Sequence, residues 1–316
     1  MVNKSGPKIP GEEKNLPGSG PVSFATQDAL RIRIGRIRYS NVTPFFHNLR
    51  PSDPSQPCFC ESSKRSVFLD FSEDAPAALN EALYHGEIDI APISSLAYLN
   101  HQDQFLLLPD MAIGSLDFSG SVILFSRDRI EGLDQETIAL SSESLSSSAL
   151  LKILLRFKYK FKNSFLTMDS DPEAMLERCK AALVIGDDAL FYQPKEFVYR
   201  YDLSDLWWNW TGKPFCFSVW AVSKDFAKRY PEEVRWLCSR IQATRDSNLE
   251  NLEQLLKDAE GLHFMDEKFG KLFGYLFNLI FSLDKPMQEG LELFFRLAHR
   301  YGLSPRLKRL EFFKME

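Results

Sequence analysis

From residue 31 onward, short apolar runs alternate with amphipathic ones. Residues 31–38 alternate between charged and β-branched side chains, which predicts a strand, and 66–71 predicts a second. Residues 75–85 read as a short helix closed by Gly86. Then 88–93 form an apolar run of strand length, followed by Ser94-Ser95 and a helical 96–100. Residues 121–126 predict another strand. A further unit opens at 137–140 and continues through a serine run into a helix from Ser146 to about Phe157; 165–168 and 181–185 are two more strands. After a last strong strand at 215–222, residues 232–259, 267–282 and 287–301 carry apolar residues at helical spacing and stop at glycines such as Gly261 and Gly302. Repeated strand–helix–strand order predicts parallel sheets covered by helices.

Two α/β lobes, the second inserted into the first, with helices returning at the end, make the plan of a type II periplasmic-binding-protein (Venus flytrap) fold. The first lobe is expected to be discontinuous, 31–126 plus 206–316, with 127–205 inserted and the strands near Phe125 and Phe217 forming the hinge. Residues 1–30, rich in Gly, Pro, Lys and Ser, read as a disordered extension with no apolar segment of a secretory signal.

Composition narrows the classes. The chain has 316 residues, 44% hydrophobic and 26% charged, which suits a globular protein of about two domains. A net charge of −5 gives no electrostatic footprint for nucleic acid. No apolar run reaches the roughly 18 residues of a membrane span, so the reading is cytoplasmic with no membrane partner. The five cysteines are odd in number and irregularly spaced, which argues against a disulfide framework. Cys58-Phe59-Cys60 lacks the second ligand pair that a zinc site needs, so no metal is expected.

Four polar clusters fall at predicted strand ends, where ligands collect in open α/β sheets. Tyr39-Ser40-Asn41 follows the first strand and on spacing alone reads as a turn before it reads as a catalytic group, because Asn tolerates left-handed backbone and bonds locally. Ser94-Ser95 precedes a helix, where serine is a good N-cap; amides at such an end also bind anions. Ser121, after Ser119-Gly120, precedes the expected hinge strand. The run from Ser141 to Ser148 leads into a helix and offers hydroxyls and free amides to a carboxylate. Asp187 is an acid at a strand end with Gly186 before it. The five histidines lie away from all of these, and no nucleophile–base pair or phosphate-cradling glycine loop is present. On composition alone the chain reads as a binding protein.

The motifs taken together resemble the chorismate dehydratases of the futalosine route to menaquinone. The resemblance rests on Ile34-Gly35-Arg36-Ile37-Arg38-Tyr39-Ser40-Asn41-Val42-Thr43-Pro44, on Gly86-Glu87-Ile88-Asp89-Ile90-Ala91-Pro92-Ile93-Ser94-Ser95, and on the stretches 183–190 and 210–221. Leu107-Leu108-Pro109-Asp110 and Tyr201-Asp202-Leu203 ahead of Trp207 add to it. The resemblance implies a two-lobed lyase that converts chorismate to 3-[(1-carboxyvinyl)oxy]benzoate and water without cofactor. The substrate's own enolpyruvyl carboxylate takes the ring proton, while the protein supplies closure, orientation and desolvation. By position, Asn41 and Ser121 match the family's catalytic asparagine and serine. Ser146 and Ser147 match the hydroxyl pair that holds a carboxylate, and Ser94 and Asp187 would be further substrate contacts. A transient contact with the next enzyme of the route fits this scheme.

The chain departs from the pattern at Ala97, where many relatives have Glu, at Leu145, where they have a basic residue, and at Asp117-Phe118, where they have Gly-Pro. Two other readings share the fold. A solute-binding protein would require an export signal. The sibling lyase that makes dihydroxynaphthoate would carry Pro-Asn-Asp where Tyr39-Ser40-Asn41 stands.

Overall fold

A computed structural model describes residues 29–49 and 56–316. The extension expected over 1–30 therefore falls, except for its last two residues, outside the described residues. In chain order the strands are β1 (Leu30–Ile37), β2 (Cys58–Cys60), β3 (Arg65–Asp74), β4 (Ile90–Ser94), β5 (Phe105–Ser115) and β6 (Val122–Ser126). They continue with β7 (Thr137–Ser141), β8 (Ser164–Met168), β9 (Ala181–Ile185), β10 (Tyr199–Asp202), β11 (Phe215–Ser223) and β12 (Leu279–Ile280). They form a seven-stranded sheet, in the order β12-β5-β11-β4-β1-β3-β2, and a five-stranded sheet, β10-β6-β9-β7-β8.

Every residue of β4, β6 and β9 is buried. That is the signature of strands covered on both faces, and it explains why they read as continuous apolar runs rather than alternating ones. Helices such as Pro76–Tyr84, Ser146–Ile153 and Lys285–Tyr301 supply the cover. Trp207, Trp220, Tyr98 and Phe45 are among the largest fully buried side chains.

The expectation of parallel sheets holds for only part of the pairing. β1 runs parallel to β3 and β4, and β7 parallel to β8 and β9. β11 lies antiparallel between β4 and β5, and β6 lies antiparallel to β9 and β10. These antiparallel strands flank the places where the chain passes from one sheet to the other, and so enter against the direction of the helix-linked units. The crossings also move the lobe boundary. β6, assigned from sequence to the first lobe, pairs wholly within the second sheet, as does β10. The sheet-to-sheet passages are therefore 116–121 and 203–214, and the strand near Phe125 lies beyond the first passage.

Three further differences matter at the site. The single helix expected over 232–259 is two, Pro231–Glu250 and Leu252–Glu260. The break is at Asn251, whose φ of −125° and ψ of 48° are not helical. The helix expected to reach 282 is Glu267–Asn278, because Leu279 and Ile280 pair instead with Ser115 and Gly114 at the sheet edge. The helix from Ser146 stays α to Ile153 and continues as a π-helix, Leu154–Tyr159, stopped by left-handed Lys160.

Candidate active site

The two sheets face each other across a narrow cleft with a cavity volume of about 70 Å³. Its walls are apolar, from Ile37, Ile113, Val122, Ile185, Phe217 and Leu279 among others. Its polar groups are Tyr39, Asn41, Ser94, Ser121, Glu143, Ser146, Ser147 and Tyr275, with Ser144 and Ser218. No Lys, Arg, His or Cys is among the lining residues.

Asn41 sits in the 3-10 turn Ser40–Val42 directly beyond β1. The next residues, Thr43–Phe46, are all buried, with the rings of Phe45 and Phe46 against Trp220 at 5.2 and 5.5 Å. Buried Asn248 donates to the carbonyls of Pro44 and His47 at 2.9 and 3.0 Å, tying the turn to the helix Pro231–Glu250. The turn is thus held by packing on its far side, which leaves the Asn41 amide facing the cleft. Asn41 Oδ1 is buried and accepts no hydrogen bond. A buried acceptor without a donor costs about 1–3 kcal/mol, so it calls for a partner from the ligand.

Ser121 is placed by the passage between sheets. Asp202, where β10 ends, accepts from the amides of Ser119 and Gly120 at 3.0 and 2.7 Å, and from the amide of Ser204 at 2.8 Å. The Ser119 hydroxyl also donates to it at 3.0 Å. Burial pushes the Asp202 carboxyl above its ordinary range, while these donors pull it back. Two passages of the chain are thereby pinned together, and Ser121 Oγ donates to the hydroxyl of Tyr275 at 2.9 Å. Tyr275, on the helix Glu267–Asn278, also stands in hydrogen-bonding range of Asn41, and burial drives its phenol strongly upward, so it keeps its proton.

Ser94 and Ser146 meet across the cleft, with their hydroxyls 2.5 Å apart. Neither caps its own helix: the residues at the starts of Ser95–Asn100 and Ser146–Ile153 make no side-chain cap bond. Instead Ser146 Oγ accepts from the amide of Leu96, so a hydroxyl of the second lobe caps a helix of the first, at 3.0 Å. Ser147 lines the cleft beside it.

Asp187 lies apart from the serines. It is not among the cleft-lining residues, and its carboxylate accepts from the amide and hydroxyl of Ser40 at 3.2 and 2.8 Å. Burial raises the pKa of this carboxyl, and the Ser40 bonds oppose that rise. Through Ser40 it joins the lobes. Sequence reasoning passed over a second such bridge, Glu143, which receives Arg38 on one oxygen and the Tyr39 hydroxyl on the other. Together these contacts hold the lobes closed.

So Asn41, Ser94, Ser121, Ser146 and Ser147 converge as expected, Asp187 does not, and Tyr275, Tyr39 and Glu143 join them. The arrangement offers hydroxyl and amide donors in an apolar-walled cavity, with no nucleophile beside a base. Among the described residues no group of three or more His, Cys, Asp or Glu is placed to hold a metal ion. No helix there is long and apolar enough to cross a membrane.

Comparison with known proteins follows the same line. The chain is 30% identical over 288 residues to a chorismate dehydratase of Thermus thermophilus, covering 83% of this chain and 93% of that one. In structure it resembles a protein of Archaeoglobus fulgidus at a TM-score of 0.66 and 18% identity, over 86% of this chain and 98% of the other. It also resembles the periplasmic aliphatic sulphonate-binding protein of Escherichia coli at 0.58 and 15% identity, over 88% and 94%. These structural likenesses establish the fold as that of the periplasmic binding proteins. The family defined for menaquinone biosynthesis matches residues 32–300, and with the Thermus relative this establishes that the chain belongs to that family.

Proposed function

We propose that this protein is a chorismate dehydratase, a lyase of the futalosine route acting in the cytoplasm, which removes water from chorismate to give 3-[(1-carboxyvinyl)oxy]benzoate. The observation that carries the reading is the convergence of Asn41, with its unpartnered buried oxygen, and Ser121 in a cleft whose one lining carboxylate, Glu143, is already engaged by Arg38 and Tyr39. A reaction that brings its own base suits such a site. The enolpyruvyl carboxylate removes the hydrogen from the ring carbon bearing the ether oxygen. That electron pair enters the ring, the neighbouring C–OH bond breaks, and the ring becomes aromatic. The protein's part is to hold the substrate in reactive geometry and to exclude water that would blunt the carboxylate.

In this scheme Asn41 and Ser121 hold the region of the departing hydroxyl. Ser146, Ser147 and the helix end they occupy receive a carboxylate, with Ser94 alongside. Leu145, where relatives carry a basic residue, is 39% exposed at the cleft lining. The carboxylates are therefore met by neutral donors, with Arg38 as the cation paired to a lining residue, Glu143. Asn41→Ala and Ser121→Ala should each lower kcat by about 100-fold or more, the usual loss for one positioned donor, with melting temperature little changed. Steady-state turnover of chorismate by the two purified variants is the check, and wild-type rates in both would remove these residues from the chemistry.

A further inference from the structure

Removing water from a ring needs a proton for the departing hydroxyl as well as a base for the ring hydrogen. The carboxylate that serves as base is on the substrate, and neither Asn41 nor Ser121 by itself supplies the proton for the hydroxyl. Three side chains meet at one spot in the cleft, and their bonding sense is informative. Ser121 Oγ donates to the oxygen of Tyr275 at 2.9 Å, so the phenol's own hydrogen is not used on Ser121. Asn41, on the other side of that hydroxyl, has a buried Oδ1 that nothing donates to. The spot therefore presents an acceptor without a donor, Asn41 Oδ1, beside a phenol hydroxyl that accepts from Ser121 and lies within hydrogen-bonding range of the Asn41 side chain. A hydroxyl group is the complement of that pair, since it donates one hydrogen and accepts another.

We infer that Tyr275 is a catalytic residue that delivers the proton to the departing hydroxyl, while Asn41 Oδ1 accepts the hydrogen that hydroxyl already carries. The inference rests on the dehydratase reading and adds the proton's path. The ring C–H bond breaks toward the enolpyruvyl carboxylate, its electron pair forms the ring double bond, and the C–O bond to the hydroxyl breaks. The hydroxyl oxygen takes the phenolic proton and leaves as water, and the carboxylic acid just formed returns its proton to the phenolate. Atoms and charge balance, and Tyr275 ends the cycle neutral. The phenol is only 4% exposed and burial keeps it protonated at rest, which also opposes the phenolate that this step forms. The Ser121 hydroxyl, donating to the phenol oxygen, steadies the phenolate character that develops as the proton moves.

The test compares wild type with Tyr275→Phe on three readouts: kcat for chorismate, affinity for the benzoate product by calorimetry, and the solvent deuterium effect on kcat. The expected result is a kcat at least ~100-fold below wild type, as for a positioned acid. Product affinity should stay within about threefold, and the solvent isotope effect of the wild type should change in the variant. A kcat within threefold of wild type overturns the role of Tyr275 while leaving the dehydratase reading intact. A parallel loss of kcat and product affinity also overturns it, because that is what a packing support for Ser121 would give. Tyr275→His separates packing from proton supply, since it disturbs the buried site more than Phe does yet retains a ring N–H. Turnover above that of the Phe variant supports the donor, and turnover below it contradicts it. A wild type that leaves chorismate unchanged defeats the dehydratase reading itself, which the variant data cannot do.

Discussion

Gly186 shows how one residue fixes the geometry of the cleft. Its φ is +64°, and a Cβ built there would lie 2.7 Å from the ring of Tyr39, which belongs to the opposite lobe. The lobes close only because this position has no side chain, and its amide donates to the Ser121 carbonyl at 2.8 Å. Gly186→Ala therefore adds backbone strain of about 1–3 kcal/mol and an inter-lobe clash. Urea unfolding should show that loss, and the free variant should have a larger radius of gyration than wild type; unchanged values for both would contradict the close approach. At this scale the sequence was most legible where motif and strand end coincided. Asn41 and Ser121 were visible as polar residues next to strands. Tyr275 was not, because a tyrosine at helical spacing among Phe269, Leu272 and Leu276 reads as core. The place of Asp187 was not legible, because an acid after a strand looks the same whether it faces a ligand or a backbone amide 147 positions away.

Among the elements, the contacts between lobes decide how the site opens. Arg38 and Tyr39, at the end of β1, reach Glu143 in the serine turn before the helix Ser146–Ile153, and Ser40 reaches Asp187 at the start of Gly186–Phe191. Burial and the Glu143 carboxylate both raise the Tyr39 phenol, so this bridge carries a neutral phenol beside one ion pair rather than a second anion. Swinging the lobes apart would break these contacts, and closing would re-form them. Glu143→Gln removes the charge that holds Arg38 and should loosen the free closed state. Small-angle scattering should then show a larger radius of gyration for the free variant, converging with wild type at saturating chorismate. Equal radii without ligand would show that the ion pair has no part in closure. Sequence spacing could not reveal these bridges, since each joins residues more than 100 positions apart. It also missed β2, β5, β10 and β12 and the end of the helix at Asn278. Those outcomes depend on which sheet edge lies free, a tertiary fact that outweighs local propensity.

On the scale of the whole molecule, the two-lobed plan was legible because it is written in the order of elements, and order survives small errors in their ends. Buried strands β4, β6 and β9 stood out as apolar runs, and glycines marked helix ends at Gly261 and Gly302. The direction of pairing was not legible, because an antiparallel strand entering from the other lobe has the same composition as a parallel one. That mistake shifted the boundary between lobes by a single strand and left the site residues in place, since the cleft is built from strand ends on both sides of it. The fold itself is shared with proteins that only bind, so activity has to be argued from the cleft. Here the cleft has hydroxyl and amide donors, apolar walls around them, and one lining carboxylate, Glu143, already tied to Arg38 and Tyr39.

The fate of chorismate is the most direct test of the dehydratase reading. Purified protein is incubated with chorismate without added cofactor or metal, and the products are separated and identified by mass. A product lighter by one water is expected, with the absorbance of a benzoate, formed at a rate that depends on Asn41. Chorismate recovered unchanged from a protein that binds it tightly would contradict that reading and leave a binding protein of the same fold.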